Sequence, residues 1–232
     1  TPLEDFVMGQ VHTGIPVPED DPFVIGEIPA REWLKRDPQC RPLLRRLVSG
    51  TGIGRYHARS SGCWYLLIPR GWTAGKSGAE QPWRWLKRRH PLIARHLQAC
   101  AEVLKERAGT GELWWERDSD AFWQEPGKKI LFAARFCSPA FLYDTGRVAG
   151  DDTTMAVPSA SGPYLAGILN SRLISFVFGC TIAATVPERK WFSWEDIRNL
   201  PVYTPDFVRP EDRDRHVRIE QLVQRRISLE QN

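Results

Sequence analysis

Three apolar segments in the second half of the chain leave little freedom in what it can fold into. Residues 130–136, ILFAARF, and 140–144, AFLYD, are short and apolar, with Ser138 and Pro139 between them. Runs of that length bounded by turn residues predict two strands joined by a turn. From residue 162 the pattern becomes GPYLAGILNSRLISFVFG, which predicts an apolar helix over 162–179, opened by Gly162-Pro163 and closed near Gly179. Strands and helix must bury one another, so a core is expected here. Asn170, Ser171 and Arg172 interrupt the helix. A buried amide demands hydrogen-bond partners, so Asn170 is expected to bond the backbone of a neighbouring loop and fix where the helix docks.

The other segments complete an α+β reading: a mixed or antiparallel sheet with packed helices in the N-terminal two-thirds, and a helical C-terminal part. VMGQVHTGI (7–15), FVIGEI, CWYLLI and TTMAV read as strands. Between 30 and 48, Pro38 and Pro42 split two short helical pieces. Residues 69–82 are Gly-rich and polar, and a mobile loop is expected. HPLIARHLQACAEVLKER predicts one helix, with Ile93, Leu97, Ala101 and Leu104 on its buried face and Gly109 as its stop. Ser193 with Asp196 predicts a capping box on a short helix ended by Pro201. The tail from 210 to 230 reads as a charged helix, with Ile219, Leu222, Val223 and Ile227 along one side, packed on its own domain or docked on a partner.

Composition excludes several classes. A length of 232 residues with 42% hydrophobic and 26% charged side chains suits a globular protein of one large domain or two small ones. No apolar run reaches the roughly 18 residues of a membrane span and no signal peptide is visible, so a cytoplasmic protein without a membrane partner is expected. Cys40, Cys63, Cys100, Cys137 and Cys180 are odd in number and never form C-x-x-C, and they read as small buried residues in a reducing compartment. The five histidines lack metal-ligand spacing, so no metal is expected. SGTGIGRY (49–56) superficially matches a nucleotide-binding loop, yet HARSSG follows it and no acid occurs before Glu80. It reads instead as a tight bend bringing Arg55 and Tyr56 out of the fold. Asp151-Asp152 reads as a turn. No phosphate loop, H-E-x-x-H or carboxylate pair is present, and no catalytic residue or bound cofactor is expected in this chain.

Charge is distributed unevenly. Residues 1–32 hold seven acidic side chains and one basic, whereas residues 41–95 hold twelve basic and one acidic, a local charge of +11. A single cluster reads equally well as a solvated face. Eleven uncompensated charges repel one another unless a polyanion relieves them, which points to nucleic acid. Trp64 and Tyr65 are expected to pack in a strand, and Trp72 to be exposed for contact with bases.

In this order the segments resemble the TaqI-like C-terminal specificity domain, the target-recognition part of adenine-N6 DNA methyltransferases and fused restriction-modification enzymes. The likeness runs over about residues 7–205. GQVHTGI with FVIGEI resembles the entry turn, and SGTGIGRY precedes a strand like CWYLLI. HPLIARHLQACAEVLKER looks like the Pro-Leu helix, and KKILFAARFCSPAFLYDTG like the Lys-Ile strand with its following Asp. YLAGILNSRLISFVF resembles the Leu-Asn-Ser helix and WEDIRNLPVYTP the closing segment. This chain has Gly52 where the family usually has Asp, and it lacks the Asn-Pro-Pro-aromatic motif that holds a flipped adenine. In the family, that motif and the S-adenosylmethionine loop sit in a separate N-terminal domain.

The resemblance therefore implies a DNA target-recognition domain over 1–205 and a C-terminal helical extension over 206–232. It implies double-stranded DNA and an N-terminal methyltransferase domain as partners, with S-adenosylmethionine bound in that missing catalytic domain. A start on Thr-Pro rather than Met agrees with a piece of a longer enzyme. Arg88, Arg89, Lys128, Lys129 and Arg135 would contact phosphates. Thr13, Arg55, His57, Arg70 and Trp72, with Tyr56 beside them, are the candidates for base edges. A non-catalytic protein-interaction or RNA-binding module is the alternative.

Overall fold

The computed structural model describes residues 1–108, 113–118, 121–124, 127–186 and 188–231. The chain divides into two compact units: residues 1–16, 48–61 and 126–232 form one, and 17–47 with 62–125 form the other. Its strands in chain order are β1 (His12–Thr13), β2 (Val24–Gly26), β3 (Leu44–Val48), β4 (Ile53–Gly54), β5 (His57–Ala58), β6 (Cys63–Leu66), β7 (Lys129–Ala133), β8 (Leu142–Asp144), β9 (Val148–Gly150) and β10 (Thr154–Pro158). The helices are α1 (Leu3–Phe6), α2 (Glu27–Arg36), α3 (Trp72–Ser77), α4 (Pro82–Arg89), α5 (Pro91–Ala99), α6 (Ala101–Ala108), α7 (Ala121–Gln124), α8 (Gly162–Leu169), α9 (Arg172–Thr181), α10 (Trp194–Ile197) and α11 (Pro210–Gln231). The fold is α+β with a helical C-terminal part. Among the described residues no single helix is long and apolar enough to cross a membrane.

The larger unit is built on an antiparallel sheet in the order β1-β10-β7-β8. Strand β7 is interior, and Ile130, Leu131 and Phe132 are all buried, as a nearly continuous apolar run requires. Phe141, Leu165, Leu169 and Ile197 join Ile130 and Phe132 in the core. Lys129 is buried in that strand and lies directly opposite Asp144 of β8, with Nζ 2.9 Å from Oδ2. The Asp144 carboxylate also accepts hydrogen bonds from the amides of Gly146, Arg147 and Val148, and so sets the turn into β9.

The expected single helix over 162–179 is two helices. Asn170 ends α8, and Ser171 caps α9 through its hydroxyl, which accepts a 3.1 Å bond from the Ile174 amide. A Ser with extended backbone and a helix behind it is an N-cap, and this local preference outweighs apolar continuity. Asn170 does fix the docking position: Oδ1 accepts from the Phe141 amide at 3.0 Å, and Nδ2 donates to the Phe141 carbonyl at 2.7 Å. Helix α11 packs on α8, where a Cβ at Gly167 would stand 2.7 Å from Ile219 and 2.9 Å from Val223. Its apolar side is thus turned onto its own unit, except for Leu222, which is 57% exposed. The capping box at Ser193 and Asp196 forms as the spacing predicts.

The smaller unit carries an antiparallel sheet with β6 between β2 and β3. LLRRLV is a strand rather than the second of two helical pieces, because Pro42 closes a 3₁₀ turn (Pro38–Leu43) and the chain then pairs with β6. The predicted helix over 91–108 breaks at Cys100 into α5 and α6, with Ile93, Leu97, Ala101 and Leu104 buried as its periodicity requires. The predicted stop at Gly109 lies outside the described residues. The supposed mobile loop contains α3, and Glu116 accounts for it. Its buried carboxylate accepts from the Gly71 amide at 2.5 Å, from the Thr73 amide at 2.7 Å and from the Thr73 hydroxyl. Trp115 Nε1 donates to the same hydroxyl at 3.1 Å. A carboxylate on these amides satisfies the first donors of α3 from 43 residues away in sequence.

At the N-terminus, the strand expected over 7–15 shrinks to β1 at His12–Thr13 with a single further bridge from Ile15 to Asp151, and residues 3–6 ahead of it form α1. The cysteine expectation holds in part. Cys40 is buried and Cys63 and Cys100 are half-buried, but Cys137 and Cys180 are exposed.

Two substitutions test these supports. Asn170→Ala removes both bonds to Phe141 and is expected to lower unfolding free energy by about 2–4 kcal/mol in urea titrations, since it strands buried backbone groups. Glu116→Gln, which replaces a triple acceptor by an amide facing donors, should cost about 2 kcal/mol and expose the 69–82 segment to limited proteolysis.

Candidate nucleic-acid interface

The basic block separates into charges that the fold consumes and charges that it presents. Arg70 Nε pairs with Asp118 at 2.7 Å, and Arg88 pairs with Glu80 at 2.8 Å. The Arg88 guanidinium holds the Glu80 carboxyl below its usual range through that bond. Arg45 donates to the Pro42 carbonyl at 2.7 Å, and Arg46 lies 5.9 Å from the centroid of the Trp64 ring. The acid-rich start of the chain does not neutralise the block. Asp21 is buried against Arg117, and Glu27 bonds Arg31 at 2.5 Å and Trp64 at 2.7 Å. Arg41, Lys76, Arg84, Lys87, Arg89 and Arg95 are exposed, and none makes an ion pair or side-chain hydrogen bond among the described residues.

Helix α4 gathers three of the six, Arg84, Lys87 and Arg89. Pro82 occupies its first turn and the Gln81 side chain accepts from the Arg84 amide at 2.8 Å, which fixes its start. Leu86 is buried, and Trp83 packs on Trp114 and Trp115 with centroids 4.8 and 4.9 Å away. With one side held, Arg84, Lys87, Arg88 and Arg89 face solvent. The last three lie in the final turn, where cations are favoured by the helix dipole. Trp72, expected to be exposed, is half-buried edge-on to Trp85 at 5.6 Å, so it supports α4 rather than presenting a stacking face.

In the larger unit the predicted residues do not form one patch. Lys129 is internal, in the pair with Asp144. Lys128 is exposed at the start of β7 and Arg135 is exposed beyond its end. Seven residues of extended chain put them on the order of 20 Å apart, at opposite ends of the sheet. Arg55 projects to solvent and donates to Ser175 Oγ at 2.8 Å, whereas Tyr56, at φ +66°, turns inward onto the core. Burial raises the Tyr56 hydroxyl above its ordinary pKa. The predicted bend therefore presents only one of its two side chains. His57 folds back over Gly54, with Nδ1 3.0 Å from the Arg55 carbonyl. The strand LLRRLV precedes the Gly-rich turn, and the hairpin β4-β5 follows it. Asp151 closes a turn by accepting from the Thr153 amide and hydroxyl at 3.0 and 2.5 Å.

One end of this sheet does collect cationic and aromatic groups. Thr13 pairs with Met155, which pairs with Phe132, so exposed Thr13 stands toward the Arg135 end. Gly50 meets Thr153 and Ala133 at the same end, and the Arg59 amide bonds the Gly52 carbonyl. Phe136 and Phe192 exchange backbone bonds of 3.0 and 2.8 Å, which bring in residues 189–193. There Arg189 is fixed by a bidentate pair to Asp196, at 2.7 and 2.9 Å, with its guanidinium 5.4 Å from the Phe192 ring centroid. This clamp presents Lys190 and a 51% exposed Trp191 beside Arg135, along a groove of about 470 Å³. The sequence reading missed Lys190 and Trp191. The run RKWF carried the signal, a basic pair beside an aromatic, but it lies outside the dense basic block.

One group among the described residues has metal-ligand chemistry: Asp37, Cys40 and His90, whose ligand atoms all lie within 4.8 Å of one another. Their sequence spacing hid them. Burial and the Asp37 carboxylate push the Cys40 thiol up to about 12, and burial lowers the His90 pKa. A fully buried, protonated thiol is no nucleophile toward a macromolecule.

No family model matches the chain, and no curated protein matches it. Solved structures do. A Type IIL restriction-modification enzyme, MmeI, in complex with DNA is similar over 92% of this chain with TM-score 0.52 and 16% identity. The type IIG restriction endonuclease BpuSI aligns over 97% with TM-score 0.49 and 10% identity. The chain spans 27% of the first protein and 26% of the second. The likeness to MmeI is one of fold: this chain shares its architecture with a segment of a restriction-modification enzyme.

Arg189→Ala should release residues 189–193 while leaving the sheet intact. Trp191 is expected to become more accessible to acrylamide quenching, with a stability loss of about 1 kcal/mol or less.

Proposed function

We propose that this chain is the DNA sequence-recognition part of an adenine-N6 DNA methyltransferase or restriction-modification enzyme, of the TaqI-like specificity class. The methyltransferase domain that binds S-adenosylmethionine and carries the catalytic residues lies outside this chain, and the enzyme works in the cytoplasm. The observation that carries this reading is the outer side of α4, where Arg84, Lys87 and Arg89 are exposed without ion pairs on an architecture shared with a restriction-modification enzyme. Such a side neutralises phosphates and fixes position on the duplex, while side chains at base edges supply the sequence preference. In the larger unit, Arg135 and Lys190 supply further cations and Trp191 supplies a stacking face. Thr13, Arg55 and Lys128 are exposed and Arg88 is exposed within its pair to Glu80, whereas Lys129 is taken up by Asp144 and Tyr56 and Trp72 by packing. The target adenine would be extruded toward the catalytic domain, since its N6 is out of reach within the stack.

The test is selection of this chain on a randomised duplex pool, followed by salt titration on the enriched sequence. The expected result is an adenine-containing motif and a log-log salt slope near −0.9 per phosphate contact. Replacing Arg84, Lys87 and Arg89 together by Gln should weaken binding to every duplex about equally and flatten the slope by about 2–3. Trp191→Ala should cost about 1–3 kcal/mol of binding. Equal affinity for all duplexes, or preference for single strands, overturns the reading in favour of an interaction or RNA-binding module.

A further inference from the structure

Two proline breaks in the smaller unit create a juxtaposition that DNA recognition does not use. Asp37 precedes Pro38 and His90 precedes Pro91. A residue before proline is forced out of the α region, so α2 stops at Arg36 and α4 stops at Arg89. Both residues leave the helical region, Asp37 at φ −136°, ψ 85° and His90 at φ −134°, ψ 67°. The 3₁₀ turn opened by Pro38 then carries Cys40 back over Asp37. Its Sγ donates to Asp37 Oδ2 at 3.1 Å, while Oδ1 accepts from the Gln39 amide at 3.1 Å. His90 Nδ1 points into the same place, 3.8 Å from Asp37 Oδ2. The rings of Trp72 and Trp85 stand 6.1 and 5.9 Å from the imidazole.

His90 is the anomaly. It is 5% exposed, yet Nδ1 has no hydrogen-bond partner among the described residues. A buried ring nitrogen left that way is rare, because it forfeits its solvation without compensation. With the ring proton on Nε2, the Nδ1 lone pair faces a carboxylate and a sulfur, and a cation placed between them satisfies it. Bonds of about 2.0–2.3 Å to N, O and S in a tetrahedron place ligand atoms about 3.3–3.8 Å apart. The separations of 3.1 Å from Sγ to Oδ2 and 3.8 Å from Nδ1 to Oδ2 already lie near that range.

We propose that Asp37 Oδ2, Cys40 Sγ and His90 Nδ1 form a structural site for a thiophilic divalent metal, zinc above all. The ligand set argues against magnesium and calcium, which take oxygen ligands, and the tetrahedral spacing suits zinc. Binding exchanges the S–H bond for a metal–sulfur bond and releases one proton to solvent, with no change in oxidation state. Water completes the coordination from the side of Asp37, the most accessible of the three. The metal ties the end of α2 to the junction of α4 and α5, and so fixes the helix that displays Arg84, Lys87 and Arg89. The site stands independently of the DNA reading, because it is measured without DNA.

The test uses the full chain carrying Cys137→Ser and Cys180→Ser, so that exposed thiols cannot bind metal. After chelation, the protein is titrated with Co²⁺ and then with Zn²⁺. One Co²⁺ per chain is expected, with a near-ultraviolet thiolate-to-cobalt charge-transfer band and the intense visible bands of a tetrahedral site, both displaced by Zn²⁺. Cys40→Ser should abolish the charge-transfer band and His90→Gln should weaken binding, with far-ultraviolet circular dichroism unchanged. If either variant fails to fold, Zn²⁺ should still slow alkylation of Cys40 in the parent chain under mild denaturant, and EDTA should reverse the protection. Absence of the charge-transfer band with no protection of Cys40, or a band that survives Cys40→Ser, overturns the proposal.

Discussion

The larger unit depends on a charge pair that water does not reach. Lys129 and Asp144 are cross-strand neighbours on β7 and β8, and their side chains are 4% and 6% exposed. Desolvating both ions is costly, and the pair contributes little net stability over an apolar substitute. Its leverage lies in specificity: sliding β7 by one residue would put an ammonium and a carboxylate on opposite faces of the sheet, each unpaired. With that register set, the Phe136–Phe192 bridge follows, and with it the position of the Arg189 clamp. The same carboxylate orders the turn after β8 through three backbone amides. One buried pair therefore reaches both ends of the strand, from Lys129 to the groove beside Arg135.

Charge in the smaller unit follows a different logic. Its carboxylates are used locally: Asp21 on Arg117, Glu27 on Arg31 and Trp64, and Glu116 on the start of α3. Each acid that caps or pairs within the unit is unavailable to the surface arginines. Helix α4 is left with Glu80 as its acidic neighbour, and Trp83 and Leu86 hold its other side. Clustered cations repel, so the arrangement is stable only because aromatic burial and the helix dipole offset that repulsion. An interface that must meet a polyanion benefits from this division, since the charges are displayed at no cost to packing.

Local chemistry was legible wherever a short-range rule had no competitor. The Ser193–Asp196 box, the strand around Tyr65 and the apolar spacing from Ile93 to Leu104 appear as read. The backbone bonds of Asn170 follow from the cost of burying an amide. The break of the 162–179 helix was decided by a local N-cap at Ser171, and the errors elsewhere fell where a distant partner decided the outcome. Residues 69–82 are Gly-rich and look unstructured, but Glu116 caps a helix there. Lys129 looks like a surface cation beside Lys128, but Asp144 claims it. Trp72 looks like a stacking platform, but Trp85 covers it. Nothing within a few residues of those positions announces the partner.

The amino-acid sequence by itself determined the α+β class, the excess of cations between 41 and 95 and the apolar segments that build the core. Periodicity, net charge and capping preference are properties of neighbours along the chain, and they survive without coordinates. Tertiary structure alone decided which cations remain unpaired, that Lys128 and Arg135 lie at opposite ends of a strand, and that Asp37, Cys40 and His90 converge. Those outcomes depend on distances between segments separated by tens of residues. Such distances are set by how buried surfaces fit together, and a local pattern does not encode that fit.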